Sequence, residues 1–121
     1  MHCYTGDLKQ AEQFYNLGLY FGFNGLIFKD VPALPNPEEI VASIPLDRIV
    51  LETDSPYLVP PSARRSPDER RNEGGPPTER NEPLFVKYVA EEIARIKNIS
   101  LDEVASATTS NAKALFGLES N

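Results

Sequence analysis

The first stretch of the chain carries apolar residues at helical spacing. They recur at intervals of three and four residues: Leu8, Ala11, Phe14 and Tyr15. Asp7 precedes the pattern and can accept hydrogen bonds from the free N–H groups at the start of a helix. Gly18 follows it and can adopt the left-handed conformation that ends many helices. The pattern therefore predicts an α-helix over residues 7–17.

Two short apolar runs without helical spacing come next, at residues 19–23 and 49–51. Runs of this length that are bounded by turn residues are typical of buried strands. Between them, Asn36-Pro37 places a cap before a proline at the first helical position, which predicts a short helix. Asn24-Gly25 could instead return the first run as a hairpin. The order strand, helix, strand with short connections favours parallel βαβ units and a strand that leads into a loop.

The rest of the chain divides into an irregular loop and a helical C-terminus. Residues 59–83 hold six of the eleven prolines, and loops of this length are usually functional or disordered. Pro83 is suited to begin a helix that continues to about Lys97. The segment Ser100–Glu103 fits a capping box that opens a last helix, and Ser110 is a candidate second cap within it.

Composition narrows the class of protein. A length of 121 residues suits one domain, and 40% apolar with 25% charged residues is ordinary for a globular protein. No stretch has the length of a membrane span, and the N-terminus lacks the features of a signal peptide. The single cysteine, Cys3, excludes an internal disulfide and fits a reducing compartment. An intracellular location, in cytoplasm or nucleus, is therefore expected.

The charge balance bears on nucleic-acid binding. A formal net charge of −6 argues against a protein that coats DNA by charge alone, because such affinity comes from neutralising phosphates. It argues less against a nuclease, whose bound cations supply positive charge where the phosphate lies.

Two carboxylates, Glu52 and Asp54, follow the second predicted strand. Residues at the carboxyl ends of parallel strands line the active face of α/β proteins, and side chains two apart along a strand point the same way. One carboxylate could bind a hard cation while the other supports it. The alternative is a strand end that turns polar as it meets solvent.

His2 is the only histidine of the chain. It lies just before the first predicted helix, so a parallel layout would place it on the same face as Asp54. A lone histidine is more often structural than a metal ligand. Together with Asp54 it would make only a partial metal site, because hydrolytic sites use three or more protein ligands or a bridged pair of metals.

The long loop holds five of the seven arginines. Four of them are candidates for contact with DNA phosphates: Arg64, Arg65, Arg70 and Arg71. Acidic residues between positions 64 and 80 offset most of this charge, so a solvated loop of mixed charge is the alternative.

Four segments, in this order, resemble the TatD-type metal-dependent deoxyribonucleases. They are His2-Cys3-Tyr4-Thr5-Gly6, the segment from Leu46 to Leu58 that ends in Glu52-Thr53-Asp54-Ser55-Pro56-Tyr57-Leu58, Arg80-Asn81-Glu82-Pro83, and the C-terminal set Thr108, Thr109, Asn111, Ala112 and Phe116-Gly117. Together they extend over nearly the whole chain and are far more specific than any one alone.

The resemblance implies an α/β fold, namely the C-terminal part of a (β/α)₈ TIM-type barrel of the metal-dependent hydrolase superfamily. About three βα units plus C-terminal helices would be present. It implies hydrolysis of DNA phosphodiester bonds with a divalent metal, commonly Mg²⁺. His2 and Asp54 match metal ligands of the family, and Asp54 also matches its catalytic carboxylate. The supporting groups around the metal would be Glu52, Arg80, Asn81 and Glu82.

The family's upstream ligands, a His-x-His pair, a central glutamate and a further histidine, have no counterpart here. We therefore expect residues 1–121 to be the C-terminal portion of such an enzyme, with residues 59–83 as a long loop on its active face. Its expected partners are DNA, the missing N-terminal half or a second copy, and no membrane. Two alternatives remain: an inactive partial barrel that acts as an interaction module or is non-functional, and a related metal hydrolase of a small ester or amide.

Overall fold

A computed structural model of the protein describes residues 1–29, 31–61 and 80–118. Within these ranges the helices are Leu8–Asn16 (α1), Pro37–Ser43 (α2), Val86–Lys97 (α3) and Leu101–Phe116 (α4). The strands are Phe21–Phe23 (β1) and Ile49–Leu51 (β2), and short 3₁₀ turns occupy Gly25–Phe28, Leu46–Arg48 and Pro83–Phe85. No helix of the described ranges is long and apolar enough to cross a membrane.

Helix α1 begins and ends where its sequence predicts. The Asp7 side chain accepts a hydrogen bond from the Gln10 N–H at 2.8 Å, and the Gln10 side chain accepts from the Asp7 N–H at 3.2 Å. This reciprocal pair satisfies two N–H groups that the first turn leaves free. Gly18 has a φ of 80° just beyond the helix, as expected for its role as a stop.

The two strands are parallel, with Phe21 opposite Ile49 and Phe23 opposite Leu51. Asn24 does not turn the chain back as a hairpin. Its side chain accepts from the Leu26 N–H at 3.0 Å and caps a 3₁₀ turn, so the strand leads into a loop as predicted. The α/β fold class is therefore confirmed.

The first residues of the chain lie along the other edge of β1. The Gly22 N–H donates to the Met1 carbonyl at 2.8 Å, and the Tyr4 N–H donates to the Gly22 carbonyl at 2.9 Å. A regular parallel ladder would use two residues for this step, but Cys3 is extra and has a φ of 46°. The sequence predicted about three βα units. The described residues hold two regular strands, and the bulged N-terminal segment lies beside β1 in the place of a third.

Helices α3 and α4 close the hydrophobic core against the sheet and α2. The most buried side chains of this core are Phe21, Val41, Ile49, Val89, Ile93 and Val104. At the end of α3, Lys97 Nζ donates to the Ile44 carbonyl at 2.5 Å and so ties α3 to the last turn of α2. Burial lowers the pKa of Lys97.

Two expectations for the last helix need correction. Ser100 Oγ accepts from the Glu103 N–H at 3.1 Å, but the Glu103 side chain forms no return bond to Ser100 in the described residues, so only half of the capping box exists. Ser110 is not a second cap, because α4 continues to Phe116 without a break. Two polar residues near it are bound: Thr108 Oγ1 donates to the Val104 carbonyl within the helix at 2.8 Å, and Asn111 Nδ2 donates to carbonyls outside it.

One of these polar residues fixes the position of α4. Asn111 is buried, and its Nδ2 donates to the carbonyls of Leu46 and Ile49 at 2.8 Å each. The Asn111 amide therefore joins the last helix to the residues at the start of β2.

Candidate functional site

The polar residues singled out by the sequence lie where β2 ends. The Glu52 N–H donates to the Phe23 carbonyl at 2.9 Å, so the ladder between the strands extends one residue past β2. Glu52 therefore lies at the carboxyl edge of the sheet, and Thr53 and Asp54 continue from it into a loop. This is the edge at which parallel α/β proteins carry their active residues.

Glu52 binds the N-terminal segment. Its Oε1 accepts from the Cys3 N–H at 2.7 Å, and its Oε2 lies 2.7 Å from His2 Nε2. The Glu52 side chain is 15% exposed and the imidazole 78% exposed. The contact with His2 is close but not aligned as a hydrogen bond, so Oε2 is a buried oxygen without a hydrogen bond among the described residues.

Gly22 of β1 makes room for this carboxylate. A Cβ at Gly22 would overlap Glu52 Oε1 and lie 2.7 Å from Glu52 Cδ. The N–H and the carbonyl of Gly22 both form hydrogen bonds with the N-terminal segment, so β1 is held in place beside it. A glycine within a strand often marks a place where another group approaches the backbone closely. The glycine within the apolar run at residues 19–23 is therefore a signal from which this contact could have been predicted.

We expect Gly22→Ala to displace the Glu52 carboxylate and release the Cys3 N–H. The free energy of unfolding should fall by about 1–3 kcal/mol, the usual cost of an overpacked methyl group. Chemical denaturation measures the loss, and the NMR shift of the Cys3 amide proton reports the lost hydrogen bond. Glu52→Gln, which keeps the side-chain volume, is the control for charge. An unchanged Cys3 amide shift in Gly22→Ala would contradict the assignment.

Asp54 lies on a tight turn with a φ of 56°, in the left-handed region that non-glycine residues seldom adopt. Its carbonyl accepts from the Tyr57 N–H at 2.9 Å, and its side chain is exposed. Thr53 Oγ1 accepts from the Ser55 hydroxyl at 2.9 Å and from the Ser55 N–H at 3.3 Å. Such a conformation persists only where the surroundings enforce it.

Asn81 supplies most of that enforcement. Its side chain is buried, and its Nδ2 donates to the carbonyls of Thr53 and Tyr57 at 2.8 Å each and approaches the Leu58 carbonyl at 3.3 Å. Its own N–H donates to the Pro56 carbonyl at 2.9 Å. One amide residue therefore holds the whole loop that carries Asp54. The sequence had suggested a supporting role for Asn81, but not that its targets are backbone carbonyls.

Gly25 holds the same loop from the opposite side. A Cβ at Gly25 would overlap the Leu58 carbonyl oxygen and lie 3.0 Å from its carbonyl carbon. Leu58 itself has a φ of 58°. The loop therefore rests directly on the backbone that follows β1, and sequence reasoning missed this contact because Asn24-Gly25 also fits an ordinary turn.

The structure brings some of the predicted residues together and separates others. His2 contacts Glu52, and among the described residues no ion pair joins it to Asp54. Arg80 and Glu82 are exposed beside the buried Asn81. The four arginines proposed for DNA contact, Arg64, Arg65, Arg70 and Arg71, lie outside the described residues.

The donors at this edge suit a divalent cation, although they are few. Within residues 1–29, 31–61 and 80–118, no three His, Cys, Asp or Glu side chains form a metal-binding group. Those present are carboxylate oxygens and an imidazole, which are common ligands of divalent cations in hydrolases. The buried Glu52 Oε2 without a hydrogen bond indicates that this edge has capacity for a further positive partner.

A family model described as TatD related DNase matches residues 1–117. An uncharacterized metal-dependent hydrolase YabD of Bacillus subtilis is 41% identical over 117 residues, which cover 96% of this chain and 40% of that protein. A 3'-5' ssDNA/RNA exonuclease TatD of Erwinia amylovora is 37% identical, and the match covers 42% of that protein.

Solved structures give the same result for the fold. The hydrolase TatD family protein from Entamoeba histolytica matches 93% of this chain with a TM-score of 0.75 and 25% identity. The TatD homolog YJJV from Escherichia coli matches 98% with a TM-score of 0.74 and 27% identity. In each case the match covers 40% of the solved chain. This chain therefore spans about two-fifths of the length of the relatives it matches.

Proposed function

Because the chain belongs to the TatD related DNase family, we propose that the protein is a metal-dependent hydrolase of nucleic-acid phosphodiester bonds. The observation that supports this most is the placement of Asp54. A buried amide fixes its turn at the carboxyl edge of a parallel sheet, next to the pair formed by Glu52 and His2. Catalytic residues of TIM-type barrels lie at this edge.

His2 and Asp54 are proposed as the metal ligands of this chain. Glu52 faces His2 Nε2, which leaves Nδ1 of the ring for a cation. A carboxylate behind a metal-binding imidazole orients the ring and raises its basicity. The Asp54 carboxylate is exposed on its fixed turn, so it can approach a cation without rearrangement of the loop.

Mg²⁺ is the proposed cation, because it prefers carboxylate and phosphate oxygens. When bound, it would supply charge that polarises the phosphoryl oxygen and offsets the charge on the leaving oxygen. Asp54 is proposed to orient the attacking water and to accept its proton on a carboxylate oxygen. Glu52 would keep His2 in place during this step, and Asn81 would keep Asp54 in place.

The remaining ligands are proposed to come from the part of the barrel that the relatives have and this chain does not match. Residues 1–121 would form the C-terminal portion of that barrel, with residues 59–83 as a loop on its active face. The proposed substrates are single-stranded DNA and RNA, the two named for the exonuclease relatives. The proposed partner is the N-terminal portion of the barrel, or a second copy of this chain. An intracellular location is also proposed, since nucleic acids are found there.

Asp54→Asn tests this function. It removes the charge and the proton acceptor but keeps the shape, so metal-dependent cleavage of a labelled single strand should fall by about 100-fold or more. Asp47→Asn is the matched control, because Asp47 is also an exposed carboxylate but lies in the turn before β2, at the opposite edge of the sheet. That variant should cleave at the rate of the unmodified protein.

The same assay separates the alternatives. Cleavage of a small ester with no cleavage of nucleic acid would favour a related metal hydrolase. No metal-dependent cleavage of either substrate would favour an inactive interaction module, and equal activity of Asp54→Asn would remove Asp54 from the mechanism.

A further inference from the structure

The Tyr57 side chain is 69% exposed, although it belongs to the same turn as Asp54. Its neighbours in the loop are engaged elsewhere. Asn81 binds the carbonyl of Pro56, and Leu58 lies against Gly25. The aromatic ring of Tyr57 is thus exposed on the Asp54 turn, beside the exposed Pro56.

The backbone beneath this ring is fixed at both ends. The Tyr57 N–H donates to the Asp54 carbonyl at 2.9 Å, and the Tyr57 carbonyl accepts from Asn81 Nδ2 at 2.8 Å. An aromatic ring on a fixed backbone loses little conformational freedom when it binds a partner, because only two side-chain torsions remain. The backbone of Tyr57 is thus held in a fixed place relative to Asp54.

A flat aromatic surface of this kind binds the face of a nucleobase. Stacking on an aromatic side chain contributes to affinity at every base, since each has a π-face. A chain with a net charge of −6 gains little from general attraction to phosphates, so a contact that does not depend on charge matters more here. We infer that Tyr57 is a stacking platform for an unpaired nucleobase next to the phosphate that Asp54 serves.

This inference rests on the proposed function and assigns a residue to the recognition of its single-stranded substrate. A base in a duplex is already covered on both faces, so Tyr57 selects a strand with an exposed base. The ring contacts the base and not the sugar, so DNA and RNA are bound with similar affinity. Recognition of the 2'-hydroxyl, the group that distinguishes RNA, would require other residues.

The test measures equilibrium binding by the full-length protein. A chelator removes divalent cations, so that the probe is not cleaved. The probes are a fluorescein-labelled pentathymidylate and the same backbone with every base removed, and anisotropy gives both dissociation constants. The unmodified protein should bind the base-carrying strand roughly tenfold more tightly. Tyr57→Ala and Tyr57→Leu should lose most of that difference, whereas Tyr57→Phe should keep it.

Leu84→Ala is the matched control, because Leu84 is also 69% exposed and follows Asn81 closely. It should keep the preference for the base-carrying strand. Equal binding of both probes by the unmodified protein, an undiminished preference in Tyr57→Ala, or no binding of either probe would overturn the inference. Cleavage assays distinguish the two proposals. If the protein cleaves nucleic acid and Tyr57 variants bind and cleave normally, the proposed function stands and the stacking role of Tyr57 does not. If binding depends on Tyr57 but no cleavage occurs, the stacking role stands and the proposed function does not.

Discussion

Asn81→Asp is expected to lower the proposed metal-dependent hydrolysis by about 10- to 100-fold, the range seen when a residue that supports a metal ligand is lost. The substitution hardly changes the size of the side chain. It replaces the Nδ2 donor by a second oxygen, which would face the carbonyls of Thr53 and Tyr57 where hydrogen bonds of 2.8 Å now stand. Repulsion would open the loop, and Asp54 would lose its left-handed turn. Initial rates against metal concentration measure the effect.

Asn111→Asp is the control for this experiment. Asn111 also uses Nδ2 to join two carbonyls at 2.8 Å, but these belong to Leu46 and Ile49, at the opposite edge of the sheet from Asp54. Each variant leaves at least two carbonyls without a donor and should lower the free energy of unfolding by about 1–3 kcal/mol or more. The folded fraction of Asn111→Asp should hydrolyse substrate normally. Unchanged activity per folded molecule in Asn81→Asp would show that Asn81 acts on stability alone, and an equal loss per folded molecule in both variants would show that the loss is not specific to the Asp54 loop.

Gly25→Ala is expected to be the most destabilising addition of a single methyl group among the substitutions considered. The new Cβ would overlap the Leu58 carbonyl oxygen. The new Cβ is bonded directly to the backbone and meets a backbone oxygen, so no side-chain rotation can relieve the overlap. The loop must therefore move, at a cost of at least about 1–3 kcal/mol, and Asp54 must move with it. Thermal denaturation should show a lower Tm, and calorimetric titration should show weaker binding of Mg²⁺.

Gly18→Ala separates steric overlap from backbone strain. A Cβ at Gly18 would meet nothing within 4 Å, and only its φ of 80° opposes the substitution. That strain costs about 1–2 kcal/mol, and Gly18 lies before β1, at the opposite edge of the sheet from Asp54. Gly18→Ala should therefore lower the Tm and leave metal affinity unchanged. If Gly25→Ala kept full metal affinity, the contact with Leu58 would have no part in placing Asp54.

The elements that could be predicted from sequence are those fixed by nearby residues. Asp7 and Asn36 cap helices through hydrogen bonds to residues two or three positions away, and the residue types at those positions are sufficient to predict the caps. The short apolar runs around Phe21 and Ile49 predicted strands because they lack helical spacing, and the order strand, helix, strand predicted that the two are parallel. The order of the motifs predicted the family. Where local rules failed, as for Ser110, a side chain suited to a cap lay inside a helix that packing had already stabilised.

The candidate site was predicted only as a set of residues at one edge of a sheet. The sequence placed Glu52, Asp54 and His2 there, but not the pairing of Glu52 with His2 and with the N–H of Cys3, 49 residues away. A polar side chain binds whichever carbonyl or N–H the fold brings close, and nothing in its own type specifies that partner.

The sequence by itself therefore determined the helices, the two strands, the family and the residues that could carry chemistry, because each depends on residue type and local order. Only the tertiary structure decided that Asn81 clamps the Asp54 loop across 28 residues of chain, and that Gly25 carries the loop from the other side. The physical reason is that these contacts join backbone to backbone and amide to carbonyl. Nearly every residue offers the same backbone N–H and carbonyl groups. Which of them a side chain or backbone segment contacts therefore depends on which ones the fold brings close.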